Sequence, residues 1–86
     1  MGRSILIISE NVTSKVRDLI SILEKGLSHG SFAKVDVSET TDDVIKKMLR
    51  KKYDKIVWIR INKDGFEPEE VRNEMFKEGA PAHLVV

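Results

Sequence analysis

Two charged residues stand where a sheet protein can do chemistry. Glu10 follows the apolar run Ile5-Leu6-Ile7-Ile8-Ser9, and Arg60 follows Ile56-Val57-Trp58-Ile59. Runs of that kind read as buried strands, and open α/β sheets bind ligands beyond the carboxyl ends of their strands. Arg60 in that position suits an anion or a protein partner, with Asn62 and Asp64 extending the surface along the next loop. The structural alternative is a Glu10–Arg60 ion pair that fixes two strand ends. A second charged group, Lys46, Lys47, Arg50, Lys51, Lys52 and Lys55, forms a basic cluster. Phosphate backbones bind such clusters, but single strands also need stacking aromatics, and only Tyr53 lies nearby. A solvated helix face is the competing account.

Other chemistries are excluded by residue type. The chain has no cysteine, so disulfides, thiolate metal sites and a cysteine nucleophile are ruled out. His29 and His83 lack companions at ligand spacing, so no metal and no cofactor is expected. No Ser-His-Asp or paired-carboxylate arrangement is recognisable. Gly26 and Gly30 are helix stops and form no phosphate loop. A glutamate ending the first strand resembles toprim-type nucleases. That chemistry needs Asp-x-Asp after the third strand, and Asn62-Lys63-Asp64 supplies one of the two acids.

The elements that position these residues follow from periodicity. Ser4 to Ser9 reads as a strand covered on both faces. Asn11 or Thr13 caps a helix whose stripe is Val12, Val16, Leu19, Ile20 and Leu23. Phe32 to Val37 alternates as an edge strand. Thr40 or Thr41 caps a second helix with Asp42 and Asp43 at its start and Arg50, Lys51 and Lys52 at its end, an order that complements the helix dipole. Val44, Ile45, Met48 and Leu49 are its expected inner residues. Lys55 to Ile61 is a third strand. Pro68 then opens a third helix with Val71 and Met75 inward, Phe66 stapling its entrance and Gly79 ending it. His83 to Val86 is a last strand. The order βαβαβαβ predicts one α/β domain over 1–86, a three-layer sandwich around a four-stranded parallel sheet with right-handed crossovers.

Tyr53-Asp54-Lys55-Ile56-Val57-Trp58-Ile59, together with Ile5-Leu6-Ile7-Ile8-Ser9-Glu10, resembles the receiver domain of bacterial response regulators. The resemblance implies a flavodoxin-like strand order, 2-1-3-4, cut short by one strand. Receivers hold magnesium with an acidic pair after the first strand; here the pair is Ser9-Glu10. They carry an aspartate that is phosphorylated at the position filled here by Ile59. Their Ser or Thr after the fourth strand and Lys after the fifth have no counterpart in this sequence. The resemblance therefore carries over a scaffold and a signalling surface without the chemistry.

Trp58 is the one tryptophan among 86 residues. It shares a strand face with Ile56 and Arg60, and is expected to be core under a helix, with an interface anchor as the alternative. The last strand leaves an open apolar edge at Leu84, Val85 and Val86, and such edges invite pairing. A homodimer through the fourth strand and the neighbouring helices is the expected assembly. The function that follows is a non-catalytic protein-interaction or regulatory module. A net charge of +1 disfavours the alternative, a small nucleic-acid-binding protein. A designed or minimised α/β scaffold with no natural function would show the same capping and patterning. The N-terminal apolar run is too short for a signal-peptide core or membrane span, so a cytoplasmic location is expected.

Overall fold

A computed structural model describes residues 3–25, 33–60 and 65–86. The expectations for Gly26, His29, Gly30, Phe32, Ile61, Asn62, Lys63 and Asp64 lie outside them. The elements are β1 (Arg3–Ser9), α1 (Ser14–Lys25), β2 (Ala33–Ser38), α2 (Thr41–Arg50), β3 (Lys55–Ile59), α3 (Pro68–Phe76) and β4 (His83–Val85). The four strands form one all-parallel sheet in the order β2-β1-β3-β4.

Local chemistry explains the boundaries. Thr13 accepts from the Val16 backbone N–H at 3.4 Å and starts α1. Thr40, in extended backbone, accepts from the Asp43 N–H at 3.2 Å, a cap whose loss costs about 1 kcal/mol. Pro68 opens α3 where its missing N–H leaves nothing unsatisfied. Phe66 and Val71 flank that start and are both 5% exposed, the spacing of a hydrophobic staple. Past α3, Gly79 takes φ 78°, a left-handed turn that favours glycine. Asp54 ties the start of β3 to β1: its carboxylate accepts from the Ser4 N–H and its own N–H donates to the Ser4 carbonyl, both at 2.8 Å.

The main core lies on one face of the sheet. Ile5, Ile7, Val57 and Ile59 share that face by alternation and register. Val16, Leu19 and Leu23 of α1 cover it together with Val71 and Met75 of α3. Arg3, on the same face, sits 5.2 Å from the Phe76 ring centroid in α3. On the opposite face lie Leu6, Ile8, Ile56 and Trp58, and α2 is the helix there, packed over β2.

That arrangement departs from uniform winding. The crossovers β1–α1–β2 and β2–α2–β3 step in opposite directions on opposite faces, so they share one hand. The crossover β3–α3–β4 steps the same way as the second but runs on the face of the first, so its hand is reversed. Right-handed crossovers throughout would have put α3 beside α2. Instead Val71 and Met75 meet the stripe of α1, and among the described residues the other face keeps one helix.

Candidate interaction surface

With α3 on the other face, the α2 side of β3 and β4 carries no helix among the described residues. Ile8, Trp58 and Val85 are register partners across three neighbouring strands, and they form an apolar row on that open half-face. Trp58 is 54% exposed and Val85 58% exposed, whereas Val57, next to Trp58 in the chain, is completely buried. The expectation that Trp58 is core under a helix is therefore overturned, because the helix that would cover it packs on the opposite face. Between the row and the start of α2 runs a groove of about 510 Å³, with Ile8, Val44 and Trp58 as its apolar lining and Glu10, Glu39, Thr40 and Thr41 around them.

Helix α2 is bound to the sheet by polar groups. None of its residues is buried. The Lys47 ammonium donates to the Val37 carbonyl at 2.7 Å and pairs with Asp43 one turn back. Lys51 stands 3.5 Å from the Asp36 carboxylate, and the Tyr53 hydroxyl donates to the same carboxylate at 2.7 Å. Long side chains thus occupy the sheet-facing side, and only Val44 of the expected inner residues is partly covered. Ile45, Met48 and Leu49 are 52%, 48% and 83% exposed, which corrects their assignment as inward. Thr41, Ile45 and Met48 share one flank at helical spacing, and Thr41 places that flank on the groove side.

The tether is electrostatically matched. Donation from Tyr53 holds the Asp36 carboxyl below its ordinary range; burial opposes it with a smaller effect, and the Lys51 charge adds a still smaller lowering. Burial, and then the Asp36 carboxylate, push the Tyr53 phenol up to about 12. Lys47 keeps the Asp43 carboxyl low. Nothing in the sequence pattern marked Asp36 and Tyr53 as partners, because they are 17 positions apart and meet through the registers of both β2 and β3 with β1.

The remaining site residues separate. Arg60 donates through Nε to the Val86 carbonyl at 2.9 Å and forms no ion pair with Glu10 among the described residues, which lies instead on the groove. Asn62 and Asp64 lie outside the described residues. Of the six basic residues, Lys47 and Lys51 tether α2, and Lys55 donates to the Ala80 and Pro81 carbonyls at 3.5 and 3.2 Å. Lys46, Arg50 and Lys52 are exposed and make no such bond among the described residues. Ile59, which the receiver resemblance would set at a phosphoacceptor position, is 2% exposed inside the core. β4 is the sheet edge; Leu84 and Val86 pack against the core and Val85 faces the open side. Among the described residues there is no cluster of three or more metal-ligating His, Cys, Asp or Glu side chains, and no helix is long and apolar enough to cross a membrane. No family model, curated protein or solved structure matches this chain.

Proposed function

We propose that the chain is a non-catalytic protein-interaction module, and that its contact surface is the half-bare face of the sheet with the outer stripe of α2. The observation that carries this reading is the Trp58–Val85 pair, two large apolar side chains each more than half exposed on adjacent central and edge strands. Exposed apolar surface that is contiguous marks contact sites, and tryptophan is among the residues most enriched where binding energy concentrates. A receiver-like scaffold stripped of its phosphoacceptor is compatible with this role, although the placement of α3 departs from the winding that the resemblance implies. The nucleic-acid reading loses support, since half of the basic cluster is committed to holding elements together.

A photoreactive amino acid in place of Val85 tests the proposal in cell extract. Illumination is expected to join the chain to a polypeptide, and Ile8→Glu should abolish the adduct. Absence of any polypeptide adduct contradicts the reading.

A further inference from the structure

We infer that the occupant of this surface is a second copy of the chain, docked with its α2 antiparallel to the first. The inference rests on the interaction reading above and adds to it the identity of the partner.

The spacing of the layers makes the case for a missing helix. Strands lie about 4.8 Å apart and packed helices 8–10 Å apart, so four strands offer room for about two helices per face. One face has two, α1 and α3. The other has α2 over β2, and nothing described over β3 and β4.

The chemistry of α2 says what can complete that face. An amphipathic helix in a folded domain buries its apolar stripe, yet α2 exposes Ile45, Met48 and Leu49. These positions, at i, i+3 and i+4, form one stripe: Ile45 and Met48 lie on the Thr41 flank that borders the groove, and Leu49, beside them, lies on the side away from Lys47. Acids stand at one end of the helix, Glu39 and Asp42, and bases at the other, Arg50 and Lys52. A partner helix fits this stripe best when it runs the opposite way, so that acid meets base at both ends. A two-fold axis perpendicular to α2 produces that arrangement, with the same patch on both chains. With the stripe tilted toward the groove, the same axis turns the two bare half-faces toward each other. Trp58 and Val85 of each chain then face the space enclosed by the dimer.

Pairing through β4 alone is the weaker geometry. The backbone groups of Ala82 and Val86 bond to β3, so His83 and Val85 turn theirs outward. An edge of three residues is one of the devices by which proteins blunt strand pairing, and it falls far short of the roughly 800 Å² per partner of a stable interface.

Sedimentation equilibrium of the whole chain in the micromolar range tests the inference. The wild type is expected to dimerise. Leu49→Glu changes a side chain that is 83% exposed, so it leaves the fold intact and is expected to weaken the dimer at least about tenfold, a loss of ~1.4 kcal/mol. Asp42→Lys and Lys52→Glu should each be monomeric, and an equimolar mixture of the two should form a heterodimer, because like charges oppose in either homodimer and opposite charges meet in the mixture. A monomeric wild type overturns the inference. A dimer indifferent to Leu49→Glu does so too, and assigns the contact to the β4 edge. If the Val85 photoadducts join only foreign polypeptides, the inference falls while the interaction reading stands; if there are none, both fall.

Discussion

Trp58 and Val85 lie side by side on adjacent parallel strands, and each residue is more than half exposed. Two apolar residues side by side on a sheet face would ordinarily be the floor beneath a helix. The reversed hand of the last crossover puts α3 on the opposite face, and the exposed Trp58–Val85 pair is its direct consequence.

Apolar side chains on the two faces of the sheet should contribute unequally. Leu19 is fully buried, so Leu19→Ala should cost about 2–5 kcal/mol of stability. Trp58→Ala, in dilute solution, should cost less than about 1 kcal/mol, as expected of a largely exposed position. Urea denaturation monitored by circular dichroism compares them. Equal losses would mean that Trp58 is covered in the folded chain.

Removing the Tyr53 hydroxyl should loosen α2. Tyr53→Phe deletes the donor to Asp36 and should cost about 0.5–1.5 kcal/mol. The Asp36 carboxyl should also titrate closer to its ordinary value, which side-chain carbon NMR reads directly. An unchanged titration would show that Lys51 alone sets it.

The same tether predicts the pH dependence. Asp36 is more acidic in the folded chain than the 3.8 of a free side chain. Its contribution is therefore complete above that value and fades as pH falls through the lower folded one. Tyr53 moves the other way, from 10.0 to about 12. Its contribution is complete below pH 10.0 and fades as the pH climbs toward about 12. Thermal melts across both windows should show losses at each end, and Tyr53→Phe should flatten the alkaline one.

Phosphorylation at the receiver position should not occur. Ile59 is buried in the core and has no nucleophile. Intact mass after incubation with a small phosphodonor and magnesium should be unchanged; an acid-sensitive adduct would refute this.

Much of the fold was legible because it is locally encoded. Thr40, Pro68 and the Phe66–Val71 pair announce helix ends through caps and staples that depend on a few neighbouring residues. The parallel sheet followed from the alternation of strands and helices, and its order, 2-1-3-4, is the one the receiver resemblance implied. The face chosen by α3 was hidden. β3 is apolar on both sides, Val57 and Ile59 on one and Ile56 and Trp58 on the other, so its pattern does not say which side a helix will cover. The orientation of α2 was hidden too. Its apolar residues form a stripe that reads as inward, but Lys47 and Lys51 find acceptors on β2 that sequence spacing does not reveal. For the site, Glu10 was placed correctly at a strand end, while its supposed partner Arg60 bonds to the end of β4 instead.

Because Trp58 is the chain's single tryptophan, its fluorescence reports on the proposed contact surface alone. Acrylamide quenching should be strong in dilute solution and should fall, with a blue shift of emission, as the protein is concentrated through the association range. Quenching that stays strong at every concentration, with no added partner able to reduce it, would contradict the account.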